Sequence, residues 1–247
     1  MSKYHGNGMG DFSDEVFSRI VSTDQFISDC VIPPDQALES AIQASASANL
    51  ENIAVAPNQG KLFHILAKLA SAKNILEVGT LGGYSAIWLA KALPPNGKLI
   101  TLELEPKHAQ VAEANIKNAG FENVVEVRVG PALETLQKMD AEAWGVGKKN
   151  GPFDMVFVDA DKPNNWEYVD RALKFSRVGT VIVVDNVGRR GMLADGSVME
   201  GQRGRDVVGT RRMFEMMGKD KRIDVTAVQT VGVKGWDGFA VALVVEL

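Results

Sequence analysis

The chain has 247 residues, 45% of them hydrophobic, with 27 basic and 31 acidic side chains and a formal net charge of −4. No apolar run reaches the roughly 18 residues that a membrane-spanning helix needs, and no block of basic side chains is present to neutralise a phosphate backbone. Membrane and nucleic-acid partners are therefore excluded, and a single globular domain over residues 1–247 is expected, without a linker rich in Pro, Ser or Gly to divide it.

Cys30 is the only cysteine, so no intramolecular disulfide can form, which suits a reducing, cytoplasmic compartment. Residues 1–10 are polar and glycine-rich, lack the apolar core of a secretory leader, and read as a loose arm. Over 11–50, Phe12, Val16 and Ile20, then Leu38 and Ile42, recur at helical spacing, and Pro33-Pro34 separates two helices. A third helix is expected to begin near Asn58 and to bury Leu62, Ile65, Leu66 and Leu69.

Short apolar runs then alternate with amphipathic segments. Strands are expected at 74–79, 98–103, 124–129, 154–159 and 180–185, with helices at 84–93, 106–119, 131–139 and 164–175, the rhythm of a doubly wound α/β sheet covered on both faces. The glycine-rich stretch 188–209 is long for a connection and reads as a substrate-facing loop. A last helix over 206–217 precedes strands at 223–230 and 239–246, separated by a turn-rich 232–238, a closing antiparallel hairpin.

In such sheets ligands bind beyond the carboxyl ends of the strands. The first strand ends in Glu77-Val78-Gly79-Thr80-Leu81-Gly82-Gly83-Tyr84-Ser85, a glycine turn that lets backbone approach a ligand. A dinucleotide fingerprint would need glycines at 79, 81 and 84; Leu81 and Tyr84 break it, which disfavours NAD. Glu77, in an apolar strand end, calls either for a cationic or donor-rich ligand or for nearby backbone amides. Glu103 closes the second strand, where a carboxylate can accept both hydroxyls of a ribose, so adenosine is the expected moiety.

The fourth strand runs into Asp159-Ala160-Asp161-Lys162 and the fifth into Asp185-Asn186. Asp159, Asp185 and Asn186 form a partial oxygen set for a hard divalent cation, Mg²⁺ first and Ca²⁺ or Mn²⁺ next, with room for substrate oxygens. Helix capping is the competing use of each aspartate. Lys162, at a helix start beside that site, is a candidate general base because the helix dipole and a nearby cation would both depress its pKa.

These residues, with Gly130-Pro131-Ala132-Leu133 and Phe157-Val158-Asp159-Ala160-Asp161-Lys162, resemble the cation-dependent O-methyltransferases, a family that includes the caffeoyl-CoA and, more distantly, the catechol O-methyltransferases. The resemblance covers about residues 52–247. It implies a seven-stranded, Rossmann-like methyltransferase sheet and usually a homodimer. It also implies S-adenosylmethionine bound by Val55, Glu77, Gly79, Thr80, Ser85, Glu103, Ala132 and Asp159, with Ala132 near the adenine and Asp159 shared with the metal, and Lys162 as the catalytic lysine.

The plant caffeoyl-CoA enzymes carry threonine, tyrosine and tryptophan where this chain has Val55, Asn165 and Arg189. A changed acceptor wall is therefore expected, with a free catechol, phenolic acid or flavonoid as the small aromatic acceptor and a caffeoyl-CoA acceptor as the alternative. An NAD-linked oxidoreductase and a non-enzymatic adenosine-binding module are the rival classes.

Overall fold

The computed structural model describes residues 12–194 and 200–247. The expected N-terminal arm, 1–10, and part of the expected 188–209 loop lie outside the described residues.

Strands β1 (Asn74–Val78), β2 (Lys98–Glu103), β3 (Val125–Val129), β4 (Phe153–Val158), β5 (Ser176–Asp185), β6 (Ile223–Gly232) and β7 (Gly235–Val244) form one sheet in the order β3-β2-β1-β4-β5-β7-β6. The first five are parallel, whereas β7 runs antiparallel to both β5 and β6. This is the doubly wound sheet with a reversed final hairpin that the alternating pattern implies. The strand order turns back between β1 and β4, the place where such sheets open a crevice at their carboxyl edge.

The helices are α1 (Asp14–Val31), α2 (Gln36–Ser47), α3 (Pro57–Leu69), α4 (Tyr84–Ala90), α5 (Pro106–Asn118), α6 (Ala132–Met139), α7 (Asn165–Leu173) and α8 (Gly201–Met217). Because successive strand residues face opposite sides, the parallel strands feed two cores. Leu76, Val78, Ile100 and Leu102 pack with Leu136, Val169 and Met213 from α6, α7 and α8. Ile75, Leu99, Met155 and Phe157 pack with Phe63, Ile87 and Ile116 from α3, α4 and α5. Asp35 caps α2 by accepting from Ala37 N and Leu38 N, and its other oxygen holds Lys91 at 2.6 Å.

Three expectations need correction. Helix α3 buries Gly60, Phe63 and Ala67, while Ile65 and Leu69 are 43% and 76% exposed, so the buried face is rotated from the one expected. The rotation is set by its neighbours. The Phe63 ring lies 4.5 Å from that of Phe157 and 6.1 Å from that of Phe239. A side chain at Gly60 would stand 2.4 Å from the Trp88 ring, so only glycine lets α3 lie against α4.

The second correction concerns the hairpin. Strands β6 and β7 pair as far as Gly232 and Gly235, so the expected seven-residue turn shrinks to Val233 and Lys234. Third, α8 begins at Gly201, before the expected 206, and takes up part of the long connection.

Phe63 ties α3 to β4 and β7 at once, so Phe63→Ala is expected to cost about 3–5 kcal/mol of stability. Urea unfolding monitored by circular dichroism checks this. A midpoint equal to that of the unsubstituted protein would show that α3 is held by other contacts.

Candidate active site

A cavity of about 1490 Å³ opens at the carboxyl edge of β1, β2, β4 and β5. Val55, Gly79, Thr80, Ser85, Glu103 and Ala132 line it, as do Asp159, Lys162, Asp185 and Asn186. Of the residues expected from sequence, Glu77 alone lies behind this surface, fully buried at the end of β1.

The sheet register explains the cofactor-side geometry. Glu77 pairs with Thr101 across β1 and β2, and the Thr101 hydroxyl donates to Glu77 Oε2 at 2.6 Å. Among the described residues, Glu77 Oε1 has no hydrogen-bond partner. Burial pushes the Glu77 carboxyl up to about 7, against the opposing pull of the Thr101 and Ser85 hydroxyls. The backbone-amide explanation considered for Glu77 applies instead to Glu103. Its Oε2 accepts from Thr80 N at 3.2 Å and Leu81 N at 2.7 Å, and its Oε1 from Glu105 N at 2.9 Å. A carboxylate offers about four lone-pair sites, so these three amides orient Glu103 and leave about one site for a ligand's hydroxyl.

Gly79 has φ +101°, and a Cβ there would lie 2.1 Å from the carbonyl oxygen of Asp159. Glycine is thus required twice, for its backbone conformation and for the close approach of the β1 and β4 ends. Leu81 at φ 50° holds the left-handed region at the middle of the turn, a strained conformation of the kind that collects at ligand sites.

On the other side of Gly79, Val158 pairs with Val184, so Asp159 and Asp185 leave the sheet side by side. Neither caps a helix by its side chain: Asp161 precedes the short 3-10 helix Lys162–Asn164, and Asn164 precedes α7. Lys162 Nζ donates to Asp159 Oδ1 at 2.9 Å and the residue is only 6% exposed. Asp185 is 2% exposed and its Oδ1 accepts from Gln59 Nε2 at 2.6 Å and Asn186 N at 2.8 Å. With Asp185 ionised, two acids and one lysine give this edge a net negative charge, and the donor set is all oxygen apart from the lysine. That chemistry fits a hard dication.

The remaining wall comes from elements whose role the sequence reading missed. The β6–β7 hairpin contributes Trp236, Asp237 and Phe239 to the cavity. Asp237 Oδ1 accepts from Gly188 N and Arg189 N, which docks the segment after β5 onto β7. Trp236 donates to Gln229 Oε1 and covers Gly191, where a Cβ would meet its ring at 2.6 Å. The reversed direction of the last strand was the available signal, since it returns the start of β7 to the carboxyl edge of β5. Of the three expected departures in the acceptor wall, only Val55 lines the cavity. Asn165 is fully buried at the start of α7, and Arg189 turns to Asp206, its ion pair at 2.7 Å, so the adjacent Arg190 stands at the cavity instead.

Solved structures share this architecture. An O-methyltransferase from Bacillus cereus in complex with SAH superposes with a TM-score of 0.87 at 45% identity, covering 92% of this chain and 99% of that one. The O-methyltransferase TomG from Streptomyces achromogenes in complex with SAM gives 0.85 at 45% identity, over 92% of this chain and 98% of that one. Fold and site thus define an S-adenosylmethionine-dependent methyltransferase. Residues 31–242 match the O-methyltransferase family, and the chain belongs to it. A relative from Mycobacterium tuberculosis named catechol O-methyltransferase is 47% identical over 90% of this chain and 94% of its own length. Another of that name from Niastella koreensis is 48% identical over 90% of this chain and 96% of its own.

Burial first, and then the Asp159 charge, push the Asp185 carboxyl up to about 8 from its ordinary 3.8. A carboxyl raised on folding stabilises the folded state while protonated; the contribution is complete below the unfolded value and is lost as pH climbs through the folded one. In EDTA, Asp185→Asn should therefore raise the Tm relative to the unsubstituted protein near the folded value of about 8, and this gain should vanish near about pH 4. Differential scanning calorimetry at both pH values checks it; a variant less stable at the higher pH would contradict the charge burial.

Proposed function

We propose that this S-adenosylmethionine-dependent O-methyltransferase acts on a catechol-type aromatic hydroxyl with a divalent cation held by Asp159, Asp185 and Asn186. The observation that carries the reading is the side-by-side exit of Asp159 and Asp185 at the cavity edge, with Lys162 bonded to the first. The relatives named catechol O-methyltransferase at 47% and 48% identity support a free catechol over a caffeoyl-CoA acceptor, because the relative from Medicago sativa named caffeoyl-CoA O-methyltransferase is 30% identical over 70% of this chain.

On this reading the cofactor is held by the Gly79–Ser85 turn, by Glu103 toward its ribose, by Val55 and Ala132, and by Asp159 at its border with the cation. Glu77, fully buried behind that surface, acts toward the cofactor through the Ser85 hydroxyl, which lines the cavity and bonds its carboxyl. When bound, the cofactor supplies a methyl group on a sulfonium, and the cation supplies positive charge that favours an ionised aryl hydroxyl.

The chain's own residues do the rest. Lys162 takes the proton of the acceptor hydroxyl onto Nζ as the O–H bond breaks; the electron pair left on the oxygen would form the bond to the methyl carbon while the carbon–sulfur bond breaks and the sulfonium leaves as a neutral thioether. Asp159 accepts a hydrogen bond from the same Nζ and so aims it. Rigid strand ends hold both substrates in reacting geometry, an effect that can be worth roughly 7–11 kcal/mol. Phe239, on the strand paired with β5 next to Asp185, and Trp236 supply apolar wall for an aromatic ring. A homodimer belongs to the same reading, supported by the exposed apolar side chains Phe26 and Val31 on α1 and Leu69 on α3.

Turnover of catechol with S-adenosylmethionine is expected to need Mg²⁺ and to disappear in excess EDTA and in Asp159→Ala. Full activity under chelation would reject the cation. Lys162→Ala should lower kcat by about 10²–10⁴-fold while SAH affinity, measured by calorimetry, stays unchanged. A wild-type kcat in that variant would remove the base assignment.

A further inference from the structure

Asp185 is held from a direction the family motifs do not reveal. Gln59 lies in the first turn of α3, 126 positions earlier in the chain, and its Nε2 donates to Asp185 Oδ1 at 2.6 Å. The same oxygen accepts the Asn186 N–H at 2.8 Å. No hydrogen bond among the described residues reaches Asp185 Oδ2. The helix that presents the amide is itself immobilised, by Gly60 against Trp88 and by Phe63 between Phe157 and Phe239.

We infer that Gln59 is a positioning residue for the cation site: its amide fixes Asp185 through Oδ1 and leaves Oδ2 as the oxygen that binds the dication. This rests on the cation reading proposed above. Ligating carboxylates are commonly oriented by a second hydrogen bond, and loss of such a partner typically costs about 10–100-fold in metal affinity.

The chemistry of glutamine suits the place. Each of the two acids has one side-chain donor, Lys162 for Asp159 and Gln59 for Asp185. A second cationic donor would cancel the negative charge that attracts a dication, whereas a neutral amide satisfies one oxygen and leaves that charge in place. A hydrophobic residue would leave Asp185, already 2% exposed, with only the Asn186 amide to hold it.

The test titrates Mn²⁺ into the full chain and into Gln59→Leu, with Asp185→Ala in parallel, and measures the Kd for SAH in all three. The inference expects the Mn²⁺ Kd of Gln59→Leu to rise about 10–100-fold with SAH affinity unchanged, and Asp185→Ala to bind no Mn²⁺. If Asp185→Ala loses Mn²⁺ but Gln59→Leu binds it as tightly as the unsubstituted chain, the Gln59 role is overturned and the cation reading stands. If Asp185→Ala binds Mn²⁺ normally, the cation reading itself fails. Parallel loss of SAH binding in Gln59→Leu would show a general structural role and overturn the inference. Should Gln59→Leu not fold, Gln59→Asn, which stays polar but is one carbon too short to reach, takes its place with the same expected results.

Discussion

Two carboxylates, Asp159 and Asp185, leave neighbouring parallel strands side by side, and their mutual repulsion at a buried edge is the constraint around which the site is arranged. Burial of like charges is costly and is sustained only where something compensates it. Within the chain the compensation is partial: one ion pair to Lys162 and neutral donors to Asp185. On the proposed reading, the charge left over when both acids are ionised is what would attract a cation. The position is a property of the fold, because β4 and β5 are central, parallel and in continuous register from Met155 and Val181 to Val158 and Val184.

The cofactor turn is joined to that edge through one backbone contact. Gly79 packs so closely on the Asp159 carbonyl that no side chain fits between them. Glu103 then fixes the shape of the turn by accepting two of its amides. The glycine turn and the two acids proposed to hold a cation are thereby mounted on one rigid unit. Methyl transfer requires such fixed distances, since misplacement of the reactants forfeits the gain from orientation.

The acceptor side is built differently, from parts that are remote in sequence. The β6–β7 hairpin folds back to the same edge, Asp237 fastens the segment after β5 by two of its amides, and Arg189 is drawn off to Asp206 on α8. On the proposed reading, substitutions in this wall would change which acceptor fits without disturbing the turn or the acids. This separation explains how members of one family with names as different as catechol and caffeoyl-CoA O-methyltransferase can share the same motifs.

The sequence alone determined the parallel core, because buried strands read as short apolar runs, and it located the turn and the acids, because a glycine cluster and terminal aspartates stand out against those runs. Hydrophobic spacing did not determine which face of α3 is buried: Phe63 was chosen over Ile65 and Leu69 by the rings of Phe157 and Phe239, which lie 94 and 176 positions away along the chain. Nor could it show that backbone amides hold Glu103, that Thr101 holds Glu77, or that Gln59 holds Asp185. Each of these bonds joins residues from different elements whose juxtaposition depends on strand register and helix rotation. A lone glutamine or threonine carries no local pattern, so only the folded chain reveals what it touches.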